Sequence, residues 1–170
     1  MKQVFAGFGT VFFLLLAPGT VAGVIPWWIT RWQAVTPWPG EPWLRALGVL
    51  WILAAVPVFL ESFARFALKG IGTPAPVYPT QHLVVTGFYR HMRNPMYAAV
   101  VSLVWGQALA FSSAGLLLYG AVLCAVFHIF ILTYEEPTLQ RTFGSEYQTY
   151  RANVPRWLPR LRPWRQDVGG

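Results

Sequence analysis

Four stretches of the chain are apolar enough to cross a membrane, and they restrict its possible folds more than any other feature. A transmembrane helix needs about 20 mostly apolar residues. The stretches run from about Val4 to Ile29, Trp43 to Phe66, Pro95 to Phe111 and Gly115 to Tyr134. A helix pairs its own backbone N–H and C=O groups, for which the hydrocarbon of the bilayer offers no hydrogen-bond partners. The sequence therefore predicts an all-α, polytopic membrane protein that forms a single domain over residues 1–170.

The composition supports this fold and excludes two soluble classes. Hydrophobic residues make up 55% of the chain and charged residues only 11%, against about 25% charged residues in soluble proteins. Disordered chains combine a high net charge with low hydrophobicity, which does not fit here. A basic domain that binds nucleic acid keeps its apolar residues in one small core, so no nucleic-acid partner is expected. The single cysteine, Cys124, provides neither a disulfide nor a zinc site, and no metal is expected.

The basic residues predict the orientation in the membrane. With a cytoplasmic N-terminus, eleven of the thirteen lie on the cytoplasmic side, and only Arg31 and Arg45 lie outside. The outer loop is rich in tryptophan, as an interfacial aromatic belt requires. These tryptophans are Trp27, Trp28, Trp32, Trp38 and Trp43. We expect a multi-pass protein of a bacterial inner membrane, in contact with the lipid bilayer, with both termini cytoplasmic.

The first apolar stretch has two interpretations. Lys2, the apolar run to Ala17 and the small residues 20–23 resemble a secretory signal peptide. The apolar pattern continues through Val24 and Ile25 to the tryptophans, however, and this favours a retained helix. Either way, two helices separate the middle loop from the C-terminal tail.

The third and fourth stretches form a predicted antiparallel hairpin, because only residues 111–115 join them. Asn94 as N-cap and Pro95 at the first helical position predict a helix start with unpaired amides and a positive dipole end. The hairpin returns Glu135 and Glu136 to the same membrane face. Adjacent carboxylates at a membrane helix end need water, a cation or a polar ligand. Together these groups suit a zwitterionic small molecule with an additional cation.

Three motifs occur in order on this face. They are Gly87-Phe88-Tyr89 with Arg93–Tyr97, then Glu135-Glu136, then Phe143–Tyr150 with Val154-Pro155-Arg156. This pattern resembles the isoprenylcysteine carboxyl methyltransferase family, whose wider relatives include the membrane phospholipid N-methyltransferases. The resemblance covers about Gln81 to Pro159. It implies an S-adenosylmethionine-dependent methyltransferase whose cofactor pocket lies between the last two helices, beneath an amphipathic C-terminal segment. The methyl acceptor would be a lipophilic or small molecule with a carboxylate, amine or thiol group.

The resemblance also implies which residues form the site. By position, the family's cofactor contacts fall on Gln81, His82, Leu83, Val84, Tyr89, Asn94, Pro95, Met96, Tyr97 and Glu135. Arg93 and Glu136 adjoin these positions and are candidate cofactor ligands too. His128 and Arg156 are candidates for the acceptor site, with an interhelical hydrogen bond as the alternative for His128. No catalytic base is identified. The family more often has His at the position of Asn94, and prenylcysteine methyltransferases have Arg at that of Ile131.

Two other functions stay open at this point. Membrane sterol reductases share a related C-terminal hairpin and bind NADPH there, although Met96 and the glutamate pair favour the sulfonium cofactor. The third possibility is a non-catalytic membrane scaffold or a transport-associated subunit. Outside the motifs, Glu61 and Arg65 predict a local ion pair, and the Arg- and Trp-rich residues 156–165 predict a headgroup anchor.

Overall fold

The computed structural model describes residues 16–34, 41–69 and 82–165, and the regular elements of these residues are all helices. This confirms the all-α fold class for the described part of the chain. Residues 4–15 of the predicted first span, Trp38 and the candidate Gln81 lie outside it. The first helix, α1, covers residues 16–30. The others are α2 (Glu41–Lys69), α3 (Pro95–Ala110), α4 (Ala114–Phe130) and α5 (Glu136–Asn153), with a 3-10 turn at Gly87–Arg90.

Within the described residues, two helical segments are long and apolar enough to cross a membrane, Pro42–Arg65 and Ala114–Asn153. Both expose large apolar side chains, including Leu50 and Leu53 on the first and Leu118 and Ile129 on the second. A core helix of a soluble protein would bury such side chains, whereas a helix in lipid exposes them. The described tryptophans of the predicted belt are exposed as well: Trp27, Trp28, Trp32 and Trp43.

α3 is the central helix of the fold. It has 16 residues, about 24 Å at 1.5 Å per residue, which is shorter than the hydrocarbon core. Val100 and Val104 of α3 are buried in one cluster with Phe59 and Phe63 of α2 and Leu123 of α4. This packing fixes the middle of α3 relative to the helices on either side.

α2 and α3 are in close contact where both carry glycine. A Cβ atom on Gly48 would lie 2.6 Å from Ala110 N and from Gly106 O, and one on Gly106 would lie 2.7 Å from a side-chain carbon of Ile52. Small residues allow membrane helices to pack backbone against backbone. The glycines therefore set the distance between these two helices.

We expect Gly48→Ala to destabilise the α2–α3 contact by about 1–3 kcal/mol, because an added methyl group there forces backbone shifts. Gly23→Ala is the matched control, since a Cβ atom at Gly23 meets nothing within 4 Å. Thermal unfolding in detergent micelles measures both. Equal melting temperatures for the two variants would contradict the close contact.

A wider helical turn in α1 connects it to the hairpin. The π-helical turn Thr20–Val24 leaves carbonyl oxygens open to side chains. Gln107 Nε2 of α3 donates to Ala22 O at 2.8 Å, and Tyr119 Oη of α4 donates to Val21 O at 3.0 Å. Polar side chains inside a membrane need such partners, so these bonds hold α1 against α3 and α4.

The fourth stretch continues as a helix beyond its predicted end at Tyr134. A π-helical turn at Ile131–Glu135 leads directly into α5. Pro137 lies in the first turn of α5 and, because it has no N–H, donates no backbone hydrogen bond to the turn before it. Glu135 and Glu136 therefore both lie on helical backbone rather than after a helix end. α5 bends at Gly144, whose φ is 51°.

The C-terminal residues 154–165, which we call the strap, run back across the loop before α3. Three backbone hydrogen bonds attach it: Arg93 N to Pro155 O at 2.8 Å, Arg160 N to His91 O at 3.0 Å and Trp164 N to Arg90 O at 2.9 Å. The apolar face of α5 supports the strap. Tyr147, Tyr150 and Val154 are buried in a cluster with Leu83, Val85, Leu139, Phe143 and Trp164. The predicted amphipathic segment thus packs on residues 82–94 of its own chain.

Candidate active site

The start of α3 lies beneath the strap. Asn94 occupies the N-cap position and is buried, but its side chain makes no capping bond. The predicted N-cap position is confirmed, whereas the side chain bonds elsewhere: Asn94 Nδ2 donates to Arg156 O of the strap at 3.3 Å. Pro95 occupies the first turn as predicted. The amides of Met96 and Tyr97 belong to this first turn, where N–H groups have no partner within the helix.

Glu136 is the centre of a buried ion cluster. Arg156 binds it through two atoms, Nε to Oε1 at 2.7 Å and Nη2 to Oε2 at 3.1 Å. Arg93 Nη1 donates to Glu136 Oε1 at 2.9 Å and to Tyr147 Oη at 3.1 Å. Arg151 Nε lies 3.9 Å from Oε2. The cluster joins the loop before α3, the first turn of α5 and the strap.

These contacts satisfy both oxygens of Glu136 with groups of the protein itself. The hydrogen bond to Glu136 raises the pKa of Arg156, so this guanidinium stays charged. The side chains of Arg93 and Glu136 are only 8% and 7% exposed. Arg93 Nε is buried, and no described residue accepts its hydrogen. Arg93 therefore faces neither water nor lipid phosphate, and it has one donor without a partner.

Glu135 has a different environment although it precedes Glu136 directly. Adjacent helical residues point about 100° apart. Tyr97 Oη donates to Glu135 Oε2 at 2.8 Å, and the Tyr97 ring packs on Phe127 with centroids 4.8 Å apart. In the described part of the chain, no Lys or Arg forms an ion pair with Glu135. Arginines thus neutralise the carboxylate of Glu136, whereas no described arginine pairs with that of Glu135.

Tyr89 lies between the candidate site and the buried cluster of Tyr147, Tyr150 and Val154. Burial raises the pKa of its hydroxyl, and the charges of Glu135, Tyr150 and Glu61 raise it further, so Tyr89 stays neutral. Tyr150 Oη donates to Tyr89 O at 2.6 Å. The 3-10 turn that carries Tyr89 is therefore held from the α5 side.

The other side of this turn contacts α2. Glu61 pairs with Arg65, as predicted, and Phe88 N donates to Glu61 Oε2 at 3.5 Å. Gly87 has a φ of 58°, and a Cβ atom there would collide with both Glu61 and Arg65. Only glycine fits this left-handed position so close to an ion pair. The loop thus reaches α2 at the level of the candidate site.

His128 bonds to the strap. Trp157 Nε1 donates to His128 Nδ1 at 3.0 Å, and the two rings lie 6.1 Å apart. An indole N–H only donates, so Nδ1 is the unprotonated nitrogen and Nε2 carries the hydrogen. His128 thus makes a hydrogen bond, and its partner is the strap rather than another membrane helix.

The remaining candidates differ in burial. Val84 and Met96 are buried, and His82 is exposed. Leu83 packs against the buried cluster of Tyr147, Tyr150 and Val154. The sequence does not predict that Tyr147 and Trp157 are the hydrogen-bond partners of Arg93 and His128. The helical spacing of Tyr147, Tyr150 and Val154 is typical of an amphipathic helix, but no local pattern indicates the partner of Trp157. Within the described residues, no three His, Cys, Asp or Glu side chains cluster as a metal site requires.

Comparison with known proteins identifies the family. A family model described as phospholipid methyltransferase matches residues 43–146, more than half of the chain. The match includes Tyr97, Glu135 and Glu136 and ends before the strap. A search of curated proteins gives no match. The family match confirms the relationship that the three motifs predict: this chain belongs to the phospholipid methyltransferase family and is a membrane methyltransferase.

Proposed function

We propose that this chain transfers a methyl group from S-adenosylmethionine to a lipophilic or small-molecule acceptor at the membrane. The observation that carries the proposal is the contrast between the two adjacent glutamates. Three arginines surround Glu136, whereas Glu135 has a tyrosine hydroxyl and no described cation. A carboxylate in this state is available to the ammonium group of a ligand.

The surrounding residues fit the other groups of the cofactor. The amides of Met96 and Tyr97 at the start of α3 suit its carboxylate, since a helix N-terminus favours anions. The rings of Tyr97 and Tyr89 suit its sulfonium cation. The donor on Arg93 Nε is a further group for an acceptor atom. When bound, S-adenosylmethionine supplies a methyl group that is already activated by the sulfonium charge.

The protein therefore needs to position and enclose the reactants rather than to react itself. Tyr97 fixes the rotamer of Glu135, and the strap fixes Asn94 at the start of α3. The apolar contacts of Met96 and Phe127 exclude water from this side. Correct orientation and exclusion of water are the main contributions that such a transfer requires.

The membrane position gives the two reactants separate routes. We place the site at the cytoplasmic ends of four spanning helices in a bacterial inner membrane, with both termini cytoplasmic, as the distribution of basic residues predicts. The exposed apolar surfaces of α2 and α4 face lipid and allow a lipophilic acceptor to enter laterally. The polar cofactor enters from the cytosol. The acceptor group is a carboxylate, an amine or a thiol.

Cofactor binding tests this proposal directly. We expect the full chain in detergent micelles to bind S-adenosylmethionine saturably, without competition from NADPH. Tyr97→Phe should lower the affinity about tenfold, because Glu135 loses its only described hydrogen bond. Tyr134→Phe is the matched control, since Tyr134 is exposed and stacks on Phe130 of its own helix. Binding of NADPH instead would identify the reductase chemistry and overturn the proposal.

The acceptor follows from a second measurement. Lipid extracts incubated with the full chain and a methyl-labelled donor should yield a labelled lipid that is missing with Glu135→Ala. A chain that binds S-adenosylmethionine but labels no lipid or small molecule would be a binding protein, not an enzyme.

A further inference from the structure

The strap combines a fixed backbone with exposed apolar side chains. Its backbone bonds to the loop through Pro155, Arg160 and Trp164. Arg156 O accepts from Asn94, Arg160 O lies 2.7 Å from His91 Nδ1, and Trp164 O accepts from Arg90 Nε at 2.6 Å. Leu158 and Leu161 are nevertheless 79% and 98% exposed. These leucines therefore project from an attached segment and not from a loose chain end.

The depth of the strap relative to the membrane helix follows from Trp157. Its bond to His128 places residue 157 beside the last turns of α4. Ile129 of α4 and Leu132 of the π-helical turn that follows are exposed and apolar, as expected for side chains that face lipid. Leu158 comes directly after Trp157, so it lies at the level where apolar lipid-facing residues end and the polar cluster of Glu136 begins.

The charge of the strap complements an anionic surface. Residues 154–165 contain Arg156, Arg160, Arg162 and Arg165 and no acidic residue. Arg156 is bound to Glu136, and Arg160 Nη1 donates to Asn153 O at 2.6 Å. Arg162 and Arg165 are exposed. Exposed leucines next to exposed arginines at an interface are the combination that binds anionic lipid.

We propose that the strap is a docking surface for the anionic leaflet. Leu158 and Leu161 insert below the headgroups, and Arg162 and Arg165 bind lipid phosphates. This inference does not depend on the methyl-transfer activity. The anionic leaflet contacts one face of the strap, and the strap lies outside the matched family region.

Spin labels measure the depth of this surface in the full chain. In a Cys124→Ala background, labels at Leu158→Cys and Leu161→Cys are compared with one at Gln148→Cys, an exposed polar position on α5. In phosphatidylglycerol vesicles we expect the strap labels to collide more with oxygen and less with a water-soluble nickel chelate than the control label does. Each of Arg162→Gln and Arg165→Gln should lower the ratio of inserted to free strap about fivefold.

Two results would overturn the proposal. Equal chelate access at positions 148, 158 and 161 in phosphatidylglycerol would show that the leucines face water. Spin–spin broadening at 158 and 161 that persists in detergent without lipid would show that a second copy of the chain covers them. Positions 148, 158 and 161 are exposed, so the labels should leave the fold intact. Thermal unfolding of each labelled variant checks this.

Discussion

Glu136→Ala is expected to lower the free energy of unfolding by about 3–5 kcal/mol, because it leaves buried arginines without a counter-charge. Arg93 is largely shielded from water, since its side chain is 8% exposed and its Nε already has no described acceptor. Arg156 loses both bonds of its two-atom contact. The repulsion between the two guanidinium groups would separate the strap from the start of α3.

Chemical unfolding in micelles measures this loss, and cleavage by trypsin at the strap arginines reports where the structure opens. Glu146→Ala is the control, because Glu146 is exposed on the same helix and should change the stability by less than about 0.5 kcal/mol. Replacing Arg93, Glu136 and Arg156 together by Met, Leu and Met should recover most of the loss. If Glu136→Ala is as stable as Glu146→Ala, the cluster does not hold these elements together.

The helices themselves could largely be predicted from the sequence. The apolar stretch from Trp43 to Phe66 corresponds to α2, Glu41–Lys69, because the required apolar length is set by the membrane. The apolar stretch ends at Tyr134, but the helix continues beyond it for a physical reason. Glu, Gln and Arg end an apolar run, but they are good helix formers and do not end a helix. The chain therefore continues into α5 without a break.

The site could be predicted only in part, because its contacts are distant in sequence. Local rules place Asn94 at a helix cap, but the actual partner of its side chain is a carbonyl 62 residues away. The strap contains Pro155, Pro159 and Pro163 and has no helical or strand periodicity, so no pattern predicts where it packs. The glutamate pair is visible in the sequence. Its division into one ion-paired and one hydroxyl-bonded carboxylate depends on Arg93 and Arg156, which come from other segments.

This division predicts opposite effects for the two neighbouring glutamates. Glu135→Gln keeps the size of the side chain and an acceptor for Tyr97 Oη, so the melting temperature should remain close to that of the wild type. It removes the negative charge, and with it the proposed partner of the cofactor ammonium. We expect the affinity for S-adenosylmethionine to fall about 30- to 1,000-fold, which corresponds to about 2–4 kcal/mol.

Calorimetric titration of the full chain in micelles gives this affinity, and Glu146→Gln, an exposed change of the same kind, should leave it unchanged. Methyl transfer at saturating cofactor separates binding from positioning. If Glu135 only binds the ammonium, transfer recovers as the cofactor concentration rises, whereas a role in aligning the cofactor leaves transfer slow at any concentration. Unchanged affinity in Glu135→Gln would move the ammonium site elsewhere. Because Glu136→Ala is expected to unfold the strap while Glu135→Gln leaves it folded, the pair of variants distinguishes loss of a ligand from loss of structure.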